Sequence, residues 1–365
     1  MAPHKPYVES VNLLAPFRTK KVLQHNPTVS PEMASKTESV LTLIEFDTKS
    51  CRVLNQLTLQ DIKPESFDQE KWYWLNVEVL HPEVVEEIAH RIGLHPLITE
   101  DILSRNQRPK ADEIDNLLTC VLHMLFFNSA TCSIESEQVS MVLTRNLLVS
   151  FQDDGVRDVF DPIRQRLHLD HARFRQHGVD YLLYGLLDTI VDQYFVVLDH
   201  LAQQIEQLEE HISRGDSEDY SMNQINDLRK EIMLFKRYAH PVREMINGIL
   251  RSETAMIETR NFKYFKDIYD HSIQANDLCE TYRDVITNIR DLYINQINLR
   301  MNEVMKFLAI VTALLAPATV IGGIFGMNLD RIPYLHNQHG FWLATAAMIV
   351  VPIFMLFYFR RKKWF

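Results

Sequence analysis

Eight oxygen-bearing side chains recur with a fixed rhythm along one stretch of the chain: Asp277, Thr281, Asp284, Asn288, Asp291, Asn295, Asn298 and Asn302. The steps between them alternate 4 and 3, the a and d spacing of a helical heptad, yet each position is polar. Carboxylate, amide and hydroxyl oxygens are what a hard cation takes as ligands. Amide oxygens can also accept hydrogen bonds from the inner waters of Mg2+, which that ion gives up reluctantly. Histidine and cysteine, which would point to a transition metal, are missing from this seam. A second stripe of the same rhythm, Cys279, Tyr282, Ile286, Ile289, Tyr293 and Ile297, is largely apolar. A helix so built can pack through the apolar stripe and turn the polar seam elsewhere.

A solvated helix face would give the same polar pattern, so its continuation decides the matter. The count runs on through Met305, Ala309, Thr312, Ala316, Thr319, Gly323 and Gly326, while Phe307, Ile310, Val311, Leu314, Leu315, Val320, Ile321 and Ile324 fill positions between. Small and hydroxyl residues share one face, and bulky ones cover much of the rest. Close helix packing of the GxxxG kind explains a small-residue face, and Gly322 and Gly326 fit it. It does not explain why that face prolongs a seam of Asp and Asn. A pore-lining face explains both. One helix cannot enclose a pore, so copies of the chain must gather around an axis.

From Lys263 to Gly326 the only proline is Pro317, and no glycine precedes Gly322. As one helix this stretch is about 96 Å long, more than a globular core needs. Residues 307–326 hold no charge, and neither do residues 340–359. Each is about 30 Å as a helix, the thickness of a bilayer core. Arg300 and Lys306 precede the first run and Arg360 to Lys363 follow the second, whereas residues 327–339 carry one Arg and one Asp. The positive-inside rule then places both termini in the cytoplasm.

The remaining sequence bounds the rest. Within residues 40–170, "VLTLIEF", "KWYWLNVEV", "LLTCVLHMLFF" and "SMVLTRNLLVSF" read as strands, and "PEVVEEIAHRIG" and "HPLITEDILSR" as short helices. This predicts an α/β domain with a mixed sheet. A long amphipathic helix from Tyr181, ended near Arg214, and a second stopped by Pro241 follow. The expected organisation is an N-terminal extension (1–39), the cytosolic α/β domain (40–170), a long-helix stalk (171–306), a first span (307–326), an outer loop (327–339), a second span (340–359) and a basic tail (360–365). The fold class is thus α+β with two C-terminal transmembrane helices. The formal charge of −10 argues against nucleic acid as a partner. Four scattered cysteines without a CxxC suit reduced thiols. The first residues lack the layout of a signal peptide. Neither HExxH, P-loop nor GxSxG occurs, and His81 and His90 lack metal-site spacing, so an enzyme is not expected.

"GMN" at 326–328, closing the first of two C-terminal spans, resembles the signature of the CorA-type magnesium transport proteins. "HPLITEDIL", "QRPK", "YDH" at 269–271, "NEVMKFL" at 302–308 and the tail "RRKKWF" are similar too. The resemblance covers residues 40–365. It implies a funnel-shaped homopentamer in the cell's inner (plasma) membrane, passing Mg2+, with Zn2+, Co2+ or Ni2+ as alternative ions. It implies that Asn328, with Gly326 and Met327, meets the hydrated ion. It makes Met305 and Leu308 a hydrophobic gate and sets Asp291 and Asn302 on cytosolic polar rings. Asp101 and Asp267 match a pair that binds Mg2+ between neighbouring subunits, with Glu100 and Asp188 as candidates for a second site. The outer loop departs from the family pattern: Tyr334 stands where a Glu is common, with His336 and His339 after it. That weakens the acidic ring at the mouth. Met327, in the middle of the signature, favours magnesium over the zinc-moving relatives.

Overall fold

The computed structural model describes residues 39–362 apart from 63, 65–66, 105, 154–156, 170–172, 215–221, 253–254 and 328–338. The chain falls into two compact units, one ending at Ile289 and one running Arg290–Phe365.

Among the described residues the first unit is built on seven strands: β1 (Val40–Phe46), β2 (Cys51–Leu54), β3 (Trp72–Glu78), β4 (Lys110–Ile114), β5 (Leu117–Asn128), β6 (Ser133–Leu143) and β7 (Leu147–Gln152). They form one sheet in the order β2-β1-β3-β7-β6-β5-β4. Every neighbouring pair is antiparallel except β3 with β7, so the sheet is mixed, as the sequence predicts. The segment "VLTLIEF" is β1 from end to end. Strand β7 is buried at all its positions, which fits an inner strand covered on both faces. The run "SMVLTRNLLVSF" divides into the end of β6 and the whole of β7. Thr144 makes the turn: its Oγ1 accepts the Leu147 N–H at 3.0 Å. Inside the sheet the Trp74 indole donates to Ser150 at 2.9 Å, and Ser150 donates to Asn76 at 2.5 Å.

Between β3 and β4 lie α1 (Pro82–Ile92) and α2 (Pro96–Leu103). Each opens on a proline, whose fixed φ suits the first helical turn and whose missing N–H would have had no partner there. Helix α1 closes on Gly93 at φ 69°, a left-handed conformation that glycine takes without a Cβ clash. After β7 the chain is helical: α3 (Asp161–His168), α4 (Phe174–His177), α5 (Val179–Arg214), α6 (Met222–Arg251) and α7 (Phe262–Phe325). Helix α6 corrects one expectation, because it runs straight through Pro241. That proline is buried with Tyr238, Val242, Met245 and Ile249 on the packed face. Tertiary packing there outweighs the one lost hydrogen bond.

The second unit is the later part of α7 and α8 (Gly340–Arg361). Among the described residues three helices are long and apolar enough to cross a membrane. The apolar window of α5 is 61% buried inside the protein, against 6% for α7 and for α8. The apolar surface of α5 is accounted for by the core; that of α7 and α8 is not.

Candidate metal centre and ion path

Helix α5 carries Asp188 and Asp192 one turn apart, and α7 carries Asp267 and His271 one turn apart. Side chains four residues apart on a helix lie on the same face. Ligand atoms of Asp188, Asp267 and His271 all lie within 4.8 Å of one another. Asp188 Oδ1 and His271 Nδ1, 4.0 Å apart, are both buried and without a hydrogen-bond partner. The Tyr184 hydroxyl reaches Asp188 Oδ2 at 3.4 Å. Burial, followed by the nearby Asp192 carboxylate, pushes the Asp188 carboxyl up to about 6, with His271 acting in the opposite sense and Asp267 adding to the rise. Crowded carboxylates with unmatched buried atoms are relieved by a cation, so the group fits a divalent ion. Two carboxylates and one imidazole leave further positions for water.

Asp101 and Glu100 sit on α2. Asp101 Oδ2 accepts from Lys110 Nζ at 2.5 Å, and its backbone carbonyl accepts from Gln138 at 3.3 Å. Glu100 is exposed. The sequence reading takes Asp188 and Asp267 as members of two different sites. The fold brings them together within one chain and adds His271, which sequence reasoning missed. The signal for it was present: Asp267 and His271 are i, i+4 on a helix, as are Asp188 and Asp192.

Along α7 every member of the seam is exposed: Asp277, Thr281, Asp284, Asn288, Asp291, Asn295, Asn298, Asn302, Met305, Ala309, Thr312, Ala316, Thr319, Gly323 and Gly326, and so is Leu308. On the other stripe Cys279, Ile286 and Ile289 are buried, while Tyr282 and Tyr293 are half-buried. In the apolar part, Ile310 is buried and Leu314, Pro317 and Ile321 are half-buried, on a face about 170° round from Thr312. Next to Ile321, a Cβ on Gly322 would stand 3.8 Å from the Met348 methyl of α8. A Cβ on Gly326 would stand 2.9 Å from the Gly322 carbonyl oxygen, closer than side chains tolerate, so the end of α7 requires glycine there. Met327 is exposed; Asn328, Tyr334 and His336 lie outside the described residues.

An α/β domain joined to helices whose apolar surface the chain itself leaves uncovered is the build of a membrane protein. A family model described as CorA-like Mg2+ transporter protein matches residues 69–361. The cobalt/magnesium transport protein CorA of Thermotoga maritima is 36% identical over 292 residues, 80% of this chain and 83% of that protein. The putative metal ion transporter YfjQ of Bacillus subtilis is 32% identical over 302 residues, 80% of this chain and 90% of that one. The complete structure of the CorA magnesium transporter from Methanocaldococcus jannaschii matches with a TM-score of 0.74 at 22% identity, covering 91% of this chain and all of that one. The chain belongs to the CorA-like Mg2+ transporter family.

Proposed function

We propose that the chain is one subunit of a homopentameric channel that passes hydrated Mg2+ across the inner (plasma) membrane into the cytoplasm, and that it is not an enzyme. Residues 307–326 and 340–359 are its two spans, with both termini cytoplasmic. The observation that carries the reading is the α7 seam, exposed at every position from Asp277 to Gly326, while Cys279, Ile286, Ile289 and Ile310 on other faces of the helix are buried. Five copies facing one axis would line it with Asp291, Asn295, Asn298 and Asn302, then Met305 and Leu308 as the gate, then Thr312, Ala316, Thr319 and Gly323. Asn328, beside Gly326 and Met327, meets the ion at the outer mouth. Cytosolic Mg2+ closes the channel by bridging carboxylates between neighbours: Asp101 to Asp267, and Glu100 to Asp188, which shares one group with Asp267 and His271. An ion between facing carboxylates removes their repulsion and holds subunits together. Asn328→Ala should bring uptake of Mg2+ into liposomes down to background with assembly intact; undiminished flux at matched protein would overturn the entry role.

A second reading has Co2+, Ni2+ or Zn2+ as the ion. His271 in the acidic group favours it, because imidazole suits those metals better than Mg2+. The relative from Thermotoga maritima carries cobalt and magnesium together in its name. Offering each ion singly to the same liposomes separates the readings.

A further inference from the structure

We propose that Asp180, Asn261 and His177 form a clasp that sets the register of α5 against α7 and thereby positions Asp188, Asp267 and His271; this rests on reading that group as a divalent-ion site. Within the first unit the two helices run side by side from the clasp. Tyr181 and Tyr184 pack on Tyr264, with ring centroids 4.8 and 5.2 Å apart. The acidic group comes next. Ring contacts of this kind tolerate a slip of one helix along the other. Hydrogen bonds to a buried charge do not, because an unmatched buried carboxylate is strongly unfavourable.

Asp180 is 4% exposed and Asn261 is fully buried. No cation pairs with Asp180 among the described residues. Its carboxylate instead accepts three N–H groups: Tyr181 at 2.9 Å, Glu258 at 2.8 Å and the Asn261 amide at 2.8 Å. The Asn261 oxygen in turn accepts from His177 Nδ1 at 2.7 Å. One amide thus joins the start of α5 to the start of α7 through both of its ends. Asp188 follows Asp180 by about two turns of α5, and Asn261 closes the 3-10 turn that leads directly into α7, less than two turns before Asp267. The placement of the clasp is carried to the ligands by rigid backbone. None of the three residues belongs to the ion-holding group, so they are positioning residues.

The test uses full-length protein in detergent, MgCl2 as the probe, and the Mg2+ concentration giving half-maximal protection from limited proteolysis. Melting temperature without Mg2+ is measured in parallel. Asn261→Asp sets two carboxylates against each other and should raise the half-protection concentration about tenfold or more, the usual effect of removing a group that orients ligands. Asn261→Ala, which removes the bridging amide and adds no charge, should raise it as well. A merely structural role would lower the melting temperature and leave the Mg2+ midpoint unmoved while Asp188→Asn raises it; that result overturns the clasp. If Asp188→Asn also leaves it unmoved, the ion-site reading has failed and takes the clasp with it. Should Asn261→Asp fail to fold, Asn261→Ala decides: a raised midpoint supports the clasp, and a wild-type midpoint overturns it.

Discussion

His123 on β5 is 1% exposed, its ring 4.3 Å from the Tyr238 ring, with neither nitrogen hydrogen-bonded among the described residues. Burial, and then the Arg237 guanidinium, pushes its pKa down to about 3. Between the ordinary histidine value and that one, the unfolded chain binds a proton that the folded chain refuses. Stability therefore falls as pH is lowered through this window, by up to about 1.4 kcal/mol per pH unit for one fully linked proton. His123→Met should flatten that slope in denaturation midpoints taken from pH 7 to pH 4; an unchanged slope would assign the acid sensitivity elsewhere. The double variant Asp101→Ala/Asp267→Ala should keep conducting when internal Mg2+ is high, up to roughly the millimolar range typical of weak carboxylate sites. An inhibition curve that overlays the wild type would remove both acids from the gating mechanism.

Elements with a clear period were legible. Strand β1 and helix α7 follow from β-branched alternation and from the absence of breakers, and both appear with bounds close to those read from sequence. The short edge strands were not legible: β2 has four residues, and β4 reads "KADEI", mostly charged. Such edges form because a neighbour offers hydrogen bonds and carry little pattern of their own. Pro241 misled for the same reason, since the face that packs α6 is a property of the whole core. His271 stayed hidden because a sequence shows which residues share one helix face, not which face of another helix it meets. The seam carries its own test. Met305 lies on it and is exposed, whereas Val311 is off it and half-buried. Met305→Asp should wet the constriction and leave the channel leaky, because a ring of carboxylates cannot pack dry. Val311→Asp should assemble poorly, at a cost of roughly 2.5–3.5 kcal/mol on insertion scales. Ion leak and oligomer yield measured on both variants check this; a tight Met305→Asp channel would mean the pore uses another face.

For the molecule as a whole, one element belongs to both compact units: α7 passes the division at 289/290 and continues to Phe325. Asp267 and His271 stand near the start of α7, and the seam follows on the same helix from Asp277 to Gly323. Position along it is also angle. One residue inserted into α7 turns everything beyond it by about 100°, whereas seven residues bring it back to within about 20°. A single alanine added after Asn295 should abolish Mg2+ flux by rotating Asn298 to Gly323 out of phase with the residues before them. A duplicated heptad at the same place should conduct, though the helix is then about 10 Å longer. Equal flux from the two insertions would mean that phase is not held. If they differ as expected, α7 has a reading frame of seven, and length is a looser constraint on this helix than angle.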